Sequence, residues 1–185
     1  LKPAGYRTWW AGKHHANFNP HDRGFDHFSG FLGGAINFWN PGDRARPGED
    51  APAWGAVYTW AFDEKLLKPF LPPKGFFATD AFTDWSITWL EQKEESADPF
   101  FLFLSYNAPH WPLHAHPEDI AKYEGTYDAG YETIRKARYQ RQLEMGLFDR
   151  ETVPLSDPEH ESWSSLSKRE KEEEALRMEI HAAMV

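Results

Sequence analysis

Pro99-Phe100-Phe101-Leu102-Phe103-Leu104-Ser105-Tyr106-Asn107-Ala108-Pro109-His110 is the stretch that decides the fold class. Phe100 to Leu104 is an unbroken apolar run. Alternation is absent, so a strand here is expected to be buried on both faces. Asp98-Pro99 ends the segment before it. That segment, Asp80 to about Glu95, sets Ala81, Phe82, Trp85, Thr88 and Trp89 on one stripe at 3.6-residue spacing, with Thr79 or Asp80 as its N-cap. A helix followed by a doubly buried strand is the pattern of an α/β fold: a central, mostly parallel sheet with helices on both faces.

Upstream, Tyr6-Arg7-Thr8-Trp9-Trp10 reads as a short strand that runs into a loop at Gly12. Residues 16–55 are rich in Gly, Pro, Asn and Asp, including Asn40-Pro41-Gly42-Asp43 and Arg46-Pro47-Gly48. They read as an irregular excursion in which Phe25, Phe28, Phe31, Phe38 and Trp39 pack locally. Ala56 to Trp60 and Phe62 to Leu67 form a hairpin candidate before Pro69, Pro72 and Pro73 break the chain. Downstream, Asp128 to Met145 is a second helix, with Gly146 as a left-handed stop. Ser167-Lys168-Arg169-Glu170 is a capping box opening a third helix. That helix is expected to bury Leu176, Ile180 and Ala183 or Met184 and to leave Glu172, Glu173 and Glu174 in solvent.

Composition narrows the function classes. The 185 residues include 14 Phe, 9 Trp and 7 Tyr, enough to build a core. The absence of Cys removes disulfide scaffolds and thiolate metal sites. A net charge of −9 argues against a broad nucleic-acid face, although residues 151–185 hold much of it, with nine acids against four bases. No apolar run is long enough for a membrane span. The chain opens without Met just before a strand and closes at Ala182-Ala183-Met184-Val185 inside a helix, so it is expected to be an internal portion of a larger domain.

Two clusters carry the chemistry: Gly12-Lys13-His14-His15 after the first strand, and Asn107 to Pro112 at the carboxyl end of the apolar one. Ligands of open α/β sheets bind outside the carboxyl ends of strands. A lysine supplies a point charge and three donors, and histidine donates a hydrogen bond or proton near neutral pH, a set that suits an oxyanion. The residues alone leave alternatives open. Lys13 is equally a surface lysine, His110 a turn residue between prolines, and His14 and His15 one packed and one exposed imidazole. His114-Ala115-His116 has the alternating spacing of two metal ligands on one side of a strand, with no third ligand nearby.

At these residues the chain resembles the sulfatases. Gly5-Tyr6-Arg7-Thr8, continuing to Gly12-Lys13-His14-His15, is similar to the family's G-Y-x-T-x-x-x-G-K-x-H signature. Arg23-Gly24-Phe25-Asp26 with Phe28 and Gly30-Phe31, Asp80-Ala81-Phe82-Thr83-Asp84, Pro99 to His110, and Trp163 through Ala182-Ala183-Met184-Val185 resemble four further segments in the family's order. The resemblance implies part of a single catalytic domain of the alkaline-phosphatase-like fold that hydrolyses sulfate esters. It implies a formylglycine nucleophile and a bound calcium that polarises the sulfate. Lys13 matches the lysine that contacts sulfate and formylglycine. His15 matches the histidine that hydrogen-bonds the formylglycine hydroxyl, and His110 matches the one beside the ester oxygen.

The family's C/S-x-P-x-R nucleophile segment and two aspartate metal ligands would lie upstream of Gly5. An Asp-Asn ligand pair and a second lysine would lie downstream of Val185. The chain alone is therefore expected to be inactive, with no metal ligand of its own. Position 14 is His where Trp is common. The implied partner is a sulfated small molecule or sulfated carbohydrate, and the implied location is extracytoplasmic. Two other readings compete. One is a phosphonate or phosphate monoester hydrolase of the same superfamily. The other is a non-catalytic module that stacks sulfated sugars on Phe38, Trp39, Trp54 and Trp60.

Overall fold

The computed structural model describes residues 1–16, 18–42, 52, 56–93, 97–159 and 161–185. Asp43, Arg46-Pro47-Gly48, Trp54 and the expected helix end at Glu95 lie outside them. The chain divides into two compact units, Leu1–His114 and Ala115–Val185. Among the described residues, no helix is long and apolar enough to cross a membrane.

The first unit is built on a mixed five-stranded sheet. Its strands are β1 (Arg7–His14), β2 (His27–Leu32), β3 (Thr59–Phe62), β4 (Lys65–Leu67) and β5 (Phe100–Ser105), in the order β4-β3-β2-β1-β5. β1 runs parallel to both β2 and β5, while β3 and β4 form the expected antiparallel hairpin. The α/β reading with a mostly parallel core therefore stands.

Helix α1 (Ala78–Lys93) covers one face of this sheet. Trp9 is fully buried there, 6.4 Å from Trp89 of α1 and stacked 5.5 Å from Phe100. Phe31 lies 6.3 Å from Phe82 of α1 and 5.5 Å from Trp60. The helix buries Phe82, Ser86 and Trp89 and leaves Thr88 exposed, its hydroxyl turned back onto the Asp84 carbonyl. Ser86 occupies the buried stripe because its Oγ donates to the Phe82 carbonyl, so burial leaves no donor unpaired. On the opposite face Trp10 packs edge-on against Phe25, Phe28 and Phe103. Each such aromatic removed from water contributes about 2–3 kcal/mol.

The expected N-cap at Thr79 or Asp80 lies inside α1, which already starts at Ala78, and three expectations about the strands fail as well, each for a physical reason. β1 does not stop at Gly12 but continues to His14. Gly12 adopts φ 109°, and the ladder with Ser105 of β5 and Gly30 of β2 carries the strand through it. The excursion over residues 16–55 contains β2, a full parallel partner of β1. Its glycine content masks a strand, because a Cβ at Gly30 would overlap the Gly12 backbone and one at Gly12 would overlap the Ser105 carbonyl. β5, finally, is not buried on both faces. Phe100, Phe101 and Phe103 are 40–42% exposed, since β1 is the strand that pairs with it among the described residues. An apolar run without alternation reports two apolar faces, not two covered ones.

Asp63 fastens the hairpin to β2. It sits in the β3–β4 turn at φ 51°, accepts hydrogen bonds from Phe28 N (2.9 Å) and His27 Nδ1 (3.0 Å), and donates its own N–H to the Phe28 carbonyl. Asp26 ties the start of β1 in a similar way, accepting from the N–H and hydroxyl of Thr8 and pairing with Lys2 at 2.7 Å. Burial pushes its carboxyl up, but the Lys2 and Thr8 bonds outweigh this and hold it below its ordinary value.

The second unit is helical: α2 (Pro117–Ile120), α3 (Tyr131–Glu144) and α4 (Lys168–Ala183). The Ser167–Glu170 capping box forms in both directions, and Gly146 ends α3 in the left-handed conformation, as the sequence indicates. At the inward face of α4, Met184 is buried as expected, but Ala175 and Glu179 are buried in place of Leu176, which is 48% exposed, and of Ile180, which is half-buried. Glu179 turns inward because its carboxylate accepts the Gly125 N–H at 2.8 Å, a bond to a distant turn that hydropathy cannot register.

His14 resolves one open pair. It is 8% exposed, with its ring 4.6 Å from both Trp10 and Phe18, whereas His15 is exposed. Burial holds the His14 imidazole below its ordinary pKa and leaves Nε2 without a partner. Burial also lowers His114. Two outcomes follow. Gly30→Ala should destabilise the protein by about 3 kcal/mol or more, since backbone cannot yield as a side chain can; urea unfolding measures it. Above about pH 6.5 both states keep His14 neutral, and below it the unfolded chain takes up the proton first. Stability should therefore decline as pH falls from 7 to 5, and His14→Phe should flatten part of that decline in a thermal-melt series.

Candidate active site

β1 and β5 run in the same direction with Gly12 opposite Ser105, so their carboxyl ends share one edge of the sheet. Lys13 is the residue after that last pair on β1, and His15 is the first residue beyond the strand. On the β5 side, Tyr106 and Asn107 continue past the strand end. The Tyr106 and Thr83 hydroxyls lie 2.7 Å apart, tying this segment to α1. The His110 N–H donates to the Asn107 carbonyl at 2.9 Å and closes a four-residue turn. The fold thus brings both sequence clusters to neighbouring strand ends.

Each side chain has a defined setting. Lys13 is half-buried, and no carboxylate among the described residues pairs with it. Burial pushes its ammonium below the usual value, so the charge is poorly hydrated, and no described residue supplies a counter-charge. That is the electrostatic condition of an anion site. His15 turns its ring over Gly34, where a Cβ would stand 2.8 Å from Nε2. His110 is exposed, and its Nδ1–H donates to the Trp111 carbonyl at 2.9 Å. Because a carbonyl only accepts, this bond fixes the proton on Nδ1 and leaves Nε2 as the working nitrogen.

Asn107 is the residue to which the sequence reading gave no role. It is 3% exposed, and neither its Oδ1 nor its Nδ2 has a hydrogen-bond partner. An amide with both ends orphaned in the interior costs about 1–3 kcal/mol. Its place two residues past the apolar strand, at the ligand-binding edge, was the available signal.

The metal alternative at His114 and His116 does not hold. Neither residue is in a strand. His114 Nδ1 accepts the Phe38 N–H at 3.4 Å with its ring against Phe38, and His116 caps α2. Among the described residues no group of three or more His, Asp or Glu could hold a metal. The stacking platform loses two of its four members. Phe38 and Trp60 are fully buried in the core beside α1, while Trp39 is half-buried, 4.3 Å from Phe77. Trp54 lies outside the described residues.

The sulfatase family profile matches residues 1–167. An uncharacterized sulfatase of Schizosaccharomyces pombe is 36% identical over all of this chain and 34% of its own length. An arylsulfatase of Klebsiella aerogenes is 31% identical over all of this chain and 39% of its own length. The chain thus spans between a third and two fifths of these relatives. Among solved structures, Ps i-CgsB in complex with k-i-k-neocarrahexaose is 27% identical, with a TM-score of 0.46 over 66% of this chain and 28% of its own. BT4656 in complex with D-glucosamine-2-N,6-O-disulfate is 26% identical, with a TM-score of 0.45 over 69% of this chain and 21% of its own. On the extent of the profile match and the identity across its whole length, the chain belongs to the sulfatase family.

Proposed function

We propose that the protein containing this chain is a sulfuric ester hydrolase acting on sulfate monoesters of small molecules or carbohydrates, and that these residues contribute one wall of its active site. The observation that carries the reading is Lys13. It is a half-buried ammonium with no counter-charge among the described residues, at a strand edge that also presents His15 and His110.

The roles are those the family resemblance implies, and the setting of each side chain supports them. Lys13 holds the non-bridging oxygens of the ester and takes up negative charge that grows on them as the S–O bond breaks. Its low hydration strengthens that interaction. His110, as the imidazolium, keeps its Nδ1–H on the Trp111 carbonyl and delivers its second proton from Nε2 to the departing alcohol oxygen, returning to the neutral ring. His15 hydrogen-bonds the hydroxyl that attacks sulfur and orients it. Asn107 supplies an amide donor and acceptor to the bound ester. Calcium and a formylglycine nucleophile belong to the proposal. The described residues assemble no metal cluster and the sequence contains no C/S-x-P-x-R segment, so both would come from other parts of the protein, with the nucleophile's hydroxyl as the group His15 would meet.

In the full-length enzyme, Lys13→Ala or His110→Ala should lower turnover of 4-nitrophenyl sulfate by about 10²-fold or more. Near-normal turnover in both variants would overturn the reading. Turnover of 4-nitrophenyl phosphate above that of the matched sulfate would move the protein to the phosphate-ester branch instead. Asn107→Leu replaces two unpaired polar atoms with apolar volume. Unfolding stability should hold or rise by about 1 kcal/mol while kcat/KM falls about tenfold. A stability loss with unchanged kinetics would mark Asn107 as merely structural.

A further inference from the structure

Beside the catalytic edge, His15, Ala16, Leu32, Gly33, Tyr58, Thr59 and Lys68 enclose a cavity of about 370 Å³. It lies wholly within the first unit, where the ends of β1 and β2 meet the start of β3. Its polar lining is one-sided. Among the described residues it offers an ammonium, an imidazole, a phenol hydroxyl and a threonine hydroxyl and no carboxylate, in a chain whose net charge is −9. Lys68 makes no ion pair with any described residue. Two glycines open the space. A side chain at Gly33 would overlap the Tyr58 ring, and one at Gly34 would press on the His15 imidazole. Phe31 backs the Tyr58 ring at 6.3 Å and helps set its place at the wall.

We infer that this cavity is a subsite for a second anionic substituent of the substrate, a carboxylate or a further sulfate, with Lys68 as its charge ligand and the Tyr58 and Thr59 hydroxyls as donors. The inference rests on the sulfatase reading and extends it. His15 borders both the reacting edge and the cavity, so a single molecule can place its scissile ester against Lys13 and a second anion against Lys68. The preferred substrates are then polyanionic rather than simple aryl or alkyl sulfates. Lys68 determines specificity and takes no part in bond breaking. A cationic wall discriminates by leaving its charge unpaired when a neutral substituent enters.

The test uses the full-length protein and three chromogenic esters: 4-nitrophenyl sulfate and its analogues carrying a ring carboxylate or a ring sulfonate. At least one anionic analogue should exceed the parent ester in kcat/KM by about tenfold, the scale of a charge-assisted hydrogen bond. The two arms tell a carboxylate from a sulfonate preference. Lys68→Ala should bring the favoured analogue to within about twofold of 4-nitrophenyl sulfate, leave the latter unchanged, and be rescued in part by Lys68→Arg. No preference for either analogue would overturn the inference. So would an equal loss on all three esters in Lys68→Ala, which would assign Lys68 to the scissile sulfate. Calorimetric binding of the two desulfated phenols that carry the ring carboxylate or ring sulfonate, at least one of them weakened about tenfold by Lys68→Ala, reads the subsite without turnover. A protein inactive on every sulfate ester would therefore fail the sulfatase reading and still report on the cavity.

Discussion

The close approach of β1 to both of its parallel neighbours is the constraint on which the rest depends. At Gly12 and Gly30 the three strands meet through backbone alone, with no side chain between Gly12 and the Ser105 carbonyl or between Gly30 and Gly12. This contact keeps the ladder intact to His14 and so brings Lys13 and His15 to the sheet edge rather than into a loop. It also aligns the β5 end with the β1 end. Two clusters separated by some ninety residues of sequence thereby become one edge.

Elements whose signals are local were legible. Helix α1, the β3–β4 hairpin, the capping box at Ser167 and the left-handed stop at Gly146 each follow from a handful of adjacent residues. Elements defined by what packs against them were not. β2 hides behind glycines whose purpose is visible only beside β1. β5 has two apolar faces, but pairing decides how much of them water reaches. The inward face of α4 is chosen by the bond from Gly125 to Glu179, more than fifty residues apart. In each case a long-range contact overrode the local pattern.

The site divides along the same line. Lys13, His15 and His110 were legible because residue type and motif spacing name them, and the fold brings them to adjoining strand ends. The tautomer of His110 depends on the neighbouring carbonyl. The isolation of Lys13 depends on the absence of a nearby acid among the described residues, and the orphaned amide of Asn107 depends on burial. None of these has a sequence signature. The aromatics of the 38–60 stretch show the reverse error. Their composition suggests a sugar-stacking surface, and their positions put Phe38 and Trp60 in the core.

The Gly33-Gly34 pair has a consequence for how this chain tolerates change. Neither residue offers a functional group, yet together they set the outline of the space around His15 and Tyr58. The site is in that sense a cast, its shape held by matter that was left out. In a saturation-mutagenesis map these two positions should group with the reactive residues rather than with the turns they resemble. Adding a single methyl there alters the room available to a substrate while every charged and hydrogen-bonding group stays in the sequence.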